Sequence, residues 1–462
     1  MVVMKRTLAG LGILFLLLPY ASAHLVVKSS GYMLFLRDLD GHHYFGYTAP
    51  FWMGLRRPSW AIFLNVGPDR ELKWAYNYST MGGMAFYTGI KTENGFLLLG
   101  EAGPSGYAVP LAVMLDDSGN VVWSRAYNLG EEAQGMFLDA VPSGEGVLAA
   151  GLTLGPGGDI GVILMNLSYS GDVTSAVRIP LGDVLGPYQI TRSNGGLFLS
   201  WILNATDFVT AELDSSGSVL KAVKYSLPSS LVGETDPLNP MRNFFYVPSF
   251  GGDGPVLIGG LGNGSVPWLL IDHLESGECL NVTLPLEGVL SSVHYSPGEG
   301  FFGVFASNIS YSELPGPDHR IRTLLINASL LFLLQGNGGV KVFIKPLGNV
   351  TSAYFSFEGI SIGILNNVSN VTVFDGKFDP VELGFSELEV VVKKCSLSVK
   401  SREISLDSKT VNVTYMAVPV NRTPISLEVS VIGEEKLEQS PPWIFALLFL
   451  LSTLTLVLWA RR

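Results

Sequence analysis

Residues 115–127 read LDDSGNVVWSRAY, and the same small turn returns three more times with its flanks altered. It reappears as LSYSGDVTSAVRI (167–179), LDSSGSVLKAVKY (213–225) and HLESGECLNVTLP (273–285). The Ser-Gly pairs sit at 118–119, 170–171, 216–217 and 276–277, so the spacings are 52, 46 and 60 residues. Each pair lies between two apolar runs. Asp or Ser ahead of Ser-Gly suits a short hairpin, with glycine taking the positive φ that closes it. The flanks need only alternate apolar side chains of suitable size, so the corner persists while they drift.

A second marker keeps step with the first. Apolar runs rich in small residues begin near Tyr44 (YFGYT), Phe96 (FLLLGEA), Val147 (VLAAGLT), Leu197 (LFLSWIL), Val256 (VLIGGLG), Phe301 (FFGVFA) and Ile360 (ISIGIL). The clearest unit reads as four strands, at 96–101, 110–116, 120–127 and 133–141. Four antiparallel strands repeated radially are the plan of a β-propeller. The expected fold is therefore all-β, a seven-bladed β-propeller over 24–385. The seventh unit shows no clear fourth strand. Tyr32–Gly41 (YMLFLRDLDG), ahead of the first run, is expected to supply it and leave no open edge. A β-helix and an unclosed sandwich array are the rival architectures.

The ends carry different signals. Lys5 and Arg6, the apolar run Leu8–Leu18 and the small residues Ala21–Ala23 form the three parts of a secretory signal, placed at 1–23. Residues 386–440 hold strand-like runs (ELEVVVKK, TVNVTYMAV, ISLEVSVI) without the repeat marker, and read as a small C-terminal β stalk and linker. Segment 441–462 reads as one transmembrane helix: 443–459 is uncharged, tryptophan stands at each rim, and Arg461–Arg462 follows. The basic end belongs inside, so the expected localisation is the cell membrane, single-pass, with the N-terminal domain outside.

Composition agrees with that placement. Of 21 asparagines, 12 begin N-x-S/T: Asn77, Asn166, Asn204, Asn263, Asn281, Asn308, Asn327, Asn349, Asn367, Asn370, Asn412 and Asn421. Chance gives about three, so a glycosylated exterior is expected. A net charge of −11 and the lack of basic runs outside the two ends argue against nucleic acid as a partner. Only Cys279 and Cys395 occur, which allows one bridge at most. With Cys395 in a stalk leaving the opposite side from Cys279, both are expected to be free thiols.

LDDSGNVVWSRAY, preceded by GFLLLGEA and a glycine-containing loop, resembles the repeat of secreted archaeal β-propeller proteins. It is also similar to the hairpin of quinoprotein-type propellers, where Asp, Gly and Trp recur in each blade. Trp74 and Trp123 hold the tryptophan position; Ser175, Lys221 and Asn281 stand there in later units. The resemblance implies a propeller over 32–385, with that tryptophan packed between blades.

Chemical signatures are sparse. HExxH, GxSxG and Cys-x-x-Cys do not occur. Gly259–Ser265 (GGLGNGS) has the glycine spacing of a phosphate loop, but VPWLLID after it reads as a strand, and phosphate binding needs a helix N-terminus. His42–His43 are adjacent and would point to opposite faces of a strand, so a chelating pair is not expected. Neither a metal nor another cofactor is expected. Asp116, Asp117 and Asp214 are expected to brace their hairpins.

Four-stranded blades sort their connections onto two faces. The Ser-Gly corners fall on one. The long connections 49–58, 103–109, 226–241 and 307–319 fall on the other, where variable loops over a rigid scaffold carry function. Phe51, Trp52, Arg56, Arg57 and Tyr107 on these loops are the candidate ligand-binding residues, since aromatics and arginine give stacking and directional contacts. The expected function is a non-catalytic binding or interaction module at the cell surface, its partners the membrane and a glycan or envelope protein. The alternatives are a glycan-acting hydrolase or quinone-cofactor oxidoreductase working at the axis, and a structural envelope component.

Overall fold

The computed structural model describes residues 24–432 except 29–31, 51–59, 104–107, 131–133, 145, 156, 183–187, 194–195, 204–205, 215, 229–243, 248–254, 262–266, 274–277, 287–288, 297–299, 316–319, 337–338, 356–361, 367–369, 374–379, 382–383 and 397. The signal and transmembrane readings thus lie outside the described residues. Among the described residues there is no helix, and hence none able to cross a membrane.

The described part of the chain begins with β1 (His24–Lys28) and then runs through five groups of four strands. These are β2 (Tyr32–Asp38), β3 (His43–Pro50), β4 (Trp60–Val66) and β5 (Leu72–Ser79); β6 (Met84–Thr92), β7 (Gly95–Ala102), β8 (Val109–Leu115) and β9 (Val121–Asn128); β10 (Gln134–Ser143), β11 (Gly146–Leu154), β12 (Ile160–Ser168) and β13 (Val173–Gly182). The fourth and fifth groups are β14 (Tyr188–Ser193), β15 (Gly196–Ile202), β16 (Asp207–Leu213) and β17 (Val219–Ser226), then β18 (Phe244–Val247), β19 (Pro255–Leu261), β20 (Pro267–His273) and β21 (Glu278–Thr283). Each group is an antiparallel meander, and the groups form separate blades of an all-β propeller arrangement.

The expectation of seven separate blades is not met. Beyond residue 288, β22 (Val289–Ser296), β23 (Gly300–Pro315), β24 (Arg320–Gly336), β25 (Gly339–Phe355), β26 (Ile362–Asn366) and β27 (Asn370–Val373) join one continuous nine-stranded sheet. The reason lies in β23, β24 and β25, of 16, 17 and 17 residues. The early part of β25 pairs with β24, and its end pairs with β26 from Val350 to Phe355, so no break separates the last units.

Packing explains why the marker runs are apolar throughout. β7 is buried at every residue, and β4, β8, β11 and β12 nearly so. A blade is covered on both faces by its neighbours, so its middle strands lose the alternation of a half-exposed sheet. The fourth strands are less deeply buried. The core is accordingly a series of layers between sheets. One layer joins the first and second blades through Phe45, Phe63, Phe86, Phe96, Leu98 and Leu111. Each buried phenylalanine there contributes about 1.5–3 kcal/mol. The small residues have a separate cause. At Gly46, Gly100 and Gly151 a Cβ would run into the carbonyl oxygens of Phe35, Ala85 and Met136 on the adjoining first strand.

The repeated corner is a braced hairpin. Gly119, Gly171 and Gly217 have φ of 74°, 85° and 85°. Asp116 Oδ1 accepts hydrogen bonds from the amides of Ser118 and Asn120, and Asp214 Oδ1 from those of Ser216 and Ser218. In the copy between them Ser168 does this work, its Oγ accepting from the Asp172 amide. Asp117 is simply exposed.

Each of these three described corners also meets the blade before it. Tyr78 Oη donates to the Gly119 carbonyl at 2.7 Å, and Tyr127 Oη to the Gly171 carbonyl at 3.0 Å. Trp74 lies against Gly119 and Trp123 against Gly171, so the indole does sit between blades where it is present. Burial pushes both tyrosine hydroxyls far up. At the next joint Gly217 instead meets Leu148 and Leu164.

The C-terminal segment is not a stalk. Its strands are β28 (Ser386–Leu388), β29 (Val391–Ser396), β30 (Lys400–Glu403), β31 (Lys409–Thr410), β32 (Thr414–Ala417), β33 (Asn421–Pro424) and β34 (Glu428–Ile432). They pair in turn with β25, β21, β17, β13, β9, β5 and β1. The segment is a belt that visits the sheets in reverse chain order and adds one outer strand at each stop. It covers edges that the blades would otherwise present to solvent.

The belt overturns the thiol expectation. β29 lies antiparallel to β21 with Cys395 directly opposite Cys279, and the two form a disulfide with Cα atoms 4.9 Å apart. The ring closure is also one strand earlier than expected. Tyr32–Asp38 is the first strand of the first blade, paired with β3. The closing strand is β1, with β27 on one side and β34 on the other. Likewise 134–141 of the run expected at 133–141 belongs to β10, the first strand of the next blade. Reading the unit one strand late produced both shifts.

Candidate functional site

Strand direction sorts the connections. Turns 39–42, 67–71, 93–94 and 116–120 lie on one face, and the links from second to third strand and from blade to blade lie on the other. The shift of one strand leaves this partition unchanged. The loops carrying Phe51, Trp52, Arg56, Arg57 and Tyr107 belong to the second face by connectivity, but these five residues lie outside the described ones.

Beneath that face, the described residues bring together a group that sequence reasoning missed. β6 carries a bulge between Phe86 and Thr88, opposite Gly100 and Leu99 of β7. Bulges re-aim side chains. The extra residue is Tyr87, whose Oη donates to Glu101 Oε1 at 2.8 Å. Its neighbour Thr88 donates to Asp139 Oδ1 at 3.4 Å, and Asp139 also accepts from the Ala140 amide. β10 repeats the bulge between Phe137 and Asp139. Two consecutive residues of one first strand thus hold two buried carboxyl groups.

Aromatic rings extend the group into the first blade. Tyr47 meets Tyr87 edge-on at 5.3 Å, and Phe35 stacks on Tyr47 at 4.6 Å. Phe35, Tyr47 and Tyr87 are only half-buried, so part of each ring remains accessible. Burial pushes the Glu101 carboxyl up from its ordinary value, and the Tyr87 hydrogen bond offsets part of that rise. A carboxyl so placed can donate as well as accept, and the rings give flat apolar surfaces. Tyr47 and Glu101 are the next-to-last residues of the runs YFGYT and FLLLGEA. The only signal in the sequence was a charged residue inside an otherwise apolar marker.

An apolar groove of about 420 Å³ opens at the rim beside this group. Thr80, Met81, Ala102, Val109, Tyr127 and Met416 line it, with belt residues 417–419.

The other sequence candidates resolve differently. His42 is exposed, whereas His43 is held by Asp40 at 2.9 Å through Nδ1 and by Asn65 at 2.7 Å through Nε2, with Phe96 against its ring. Burial of Asp40 is overcome by its bonds from His43 and Lys91, which hold its carboxyl well below the usual range. His43 is a packing residue of the short-turn face. Among the described residues no group of three His, Cys, Asp or Glu could hold a metal ion. The loop 262–266 lies outside the described residues, but the segment after it is strand β20.

The N-x-S/T asparagines fall into classes. Asn281, Asn327, Asn412 and Asn421 are exposed. Asn77 and Asn166 are half-buried; Asn166 Nδ2 donates to Ser175 Oγ and the Ser216 carbonyl. Asn308, Asn349 and Asn370 lie on β23, β25 and β27, and Asn204, Asn263 and Asn367 are outside the described residues.

No protein-family model matches the chain, and no curated protein matches it in sequence.

Proposed function

We propose that the protein is a membrane-anchored, extracytoplasmic β-propeller that binds a glycan or glycan-bearing envelope partner at the Tyr47–Tyr87–Glu101 end of its long-loop face. The observation that carries this reading is the half-accessible aromatic row ending on a buried, hydrogen-bonded carboxyl. Sugar rings offer apolar faces for stacking and hydroxyls for a directional acid, and rigid tyrosines order at little entropic cost. The C-terminal run 443–459, the signal at 1–23 and the twelve glycosylation motifs support the placement. By sequence alone, Phe51, Trp52, Arg56, Arg57 and Tyr107 are the loop residues proposed to contribute to binding. The blades make a ring of seven in this reading. The nine-stranded sheet serves as two of them, with the end of β25, β26, β27 and β1 as the last.

The test is binding of the full-length chain in detergent to an array of envelope and surface glycans. Tyr87→Ala is expected to weaken glycan binding at least about tenfold, the loss of one anchoring contact, and to lower the melting temperature because Glu101 loses its donor, so binding is compared well below that midpoint. Equal binding by both proteins sinks the reading. A second reading has one observation in its favour: Glu101 and Asp139 are two carboxyl groups held by adjacent residues, and glycoside hydrolysis uses a carboxyl pair. Release of reducing ends from an arrayed glycan, abolished by Glu101→Gln, would select it.

A further inference from the structure

We infer that the propeller stands on its short-turn face, so that the long-loop face with Tyr47, Tyr87 and Glu101 points away from the bilayer toward partners in the external medium. This rests on the anchored reading above and adds the direction in which the site is presented.

The argument begins with β1 and β34. Lys28 leads through three residues to Tyr32, where β2 starts, and β2 then runs into the short turn 39–42. Lys28 is therefore at the long-loop end of β1 and His24 at the short-turn end. β34 lies antiparallel to β1, with Glu428 opposite Lys28 and Ile432 opposite His24. The chain thus leaves the described body at Ile432, on the short-turn side, beside the start of β1. The same polarity holds at β33, where Asn421 is opposite Ser79 at the long-loop end and Pro424 opposite Tyr76.

Reach decides the rest. Between Ile432 and Trp443 lie ten residues, GEEKLEQSPP. Fully extended, they span about 35 Å. A ten-residue strand such as β10 rises about 33 Å, which is the order of the body's height. To bring the long-loop face onto the membrane, the linker would have to run straight back along the whole edge with nothing left over. Leaving downward from Ile432 needs no such path.

The two native cysteines are bridged, so an introduced cysteine is the only free thiol. Asp117→Cys and Ser170→Cys place a donor dye on the short-turn face; Met81→Cys and Gly157→Cys place one on the long-loop face, all at exposed positions. The full chain is reconstituted into phosphatidylcholine vesicles carrying an acceptor on the lipid headgroup. Chains with the body outside are scored by a membrane-impermeant quencher. The expected result is several-fold stronger energy transfer from residues 117 and 170 than from 81 and 157. Stronger transfer from 81 and 157, or equal transfer from all four, overturns the orientation. Loss of the protein from floated vesicles after an alkaline wash overturns the anchored reading beneath it, and is recognised by the absence of transfer at every position.

Discussion

The blades and the belt are both built of antiparallel strands, yet they are held by different physics. The middle strands of the blades are buried on both faces, in layers of Phe, Leu and Val. The belt strands are two to six residues long, and most of their side chains are exposed. What fixes them is edge pairing, one disulfide and a few side-chain pins. Arg422 lies over the Tyr76 ring at 3.5 Å and bonds Asn120 and the Ser118 carbonyl. Tyr415 donates to Asp172, which also pairs with Arg125 at 2.6 Å. Those pins land on the repeated corners. A corner of one blade is therefore clasped by the fourth strand of the blade before it and by the belt strand lying on that same strand. Hydrophobic burial makes the blades; directional contacts hold the strap around them.

If this contrast is right, damage to a blade should cost far more than damage to the belt. The largest effect is expected for Gly100→Val, whose side chain would be driven into the Ala85 backbone. Loss of more than about 3 kcal/mol is expected from overpacking at a site that cannot yield, read as failure to recover folded protein. Gly119→Ala, where the constraint is a turn, serves as a milder control. Cys395→Ser comes next. It opens a loop of 116 residues and should lower stability by about 2–4 kcal/mol. Calorimetry should show a lower melting temperature, and limited proteolysis should cut within 386–400 before the blades. Resistance of that segment would mean that pairing alone holds the belt.

Arg422→Ala should be smaller still, about 1–2 kcal/mol for a half-buried cation–π contact with two hydrogen bonds. Hydrogen exchange should quicken at 116–120 and 421–424 and nowhere in β7 or β8. The least effect concerns pH. The folded Glu101 pKa lies above its unfolded value, so the protonated folded form is fully favoured at low pH. Stability is then lost as pH rises from the ordinary glutamate range through the raised value. Glu101→Gln should remove that decline, measured as denaturation midpoints across pH 4–8. An unchanged slope would show that burial does not raise the Glu101 carboxyl, because it is solvated or because the Tyr87 hydrogen bond offsets burial in full.

What could be read from sequence follows the same division. The corners were legible because Asp116, Asp214 and the positive-φ glycines meet local demands of a hairpin. The apolar markers were legible because double-sided burial leaves unbroken runs. The belt was not, since a strand such as Lys409–Thr410 has no periodicity to detect. The Cys279–Cys395 bridge followed the belt into obscurity. The blade count failed at β23–β25, where SNISYSELP and PLGNV look like loops but continue strands through Asn308 and Gly348. The candidate site shared that fate. Glu101 and Asp139 are brought to adjacent residues of β6 by bulges and by a neighbouring blade, neither of which a single strand announces.

β1 has a consequence for how the molecule is made. Residues 24–28 are synthesised early, yet their partners are 370–373 and 428–432. A growing chain therefore carries an unmated leading strand through almost the whole of translation. Until the last turn of the strap emerges, that segment is open to capture by another chain's edge. Successful maturation must keep it idle, and the belt residues 428–432 act as the latch.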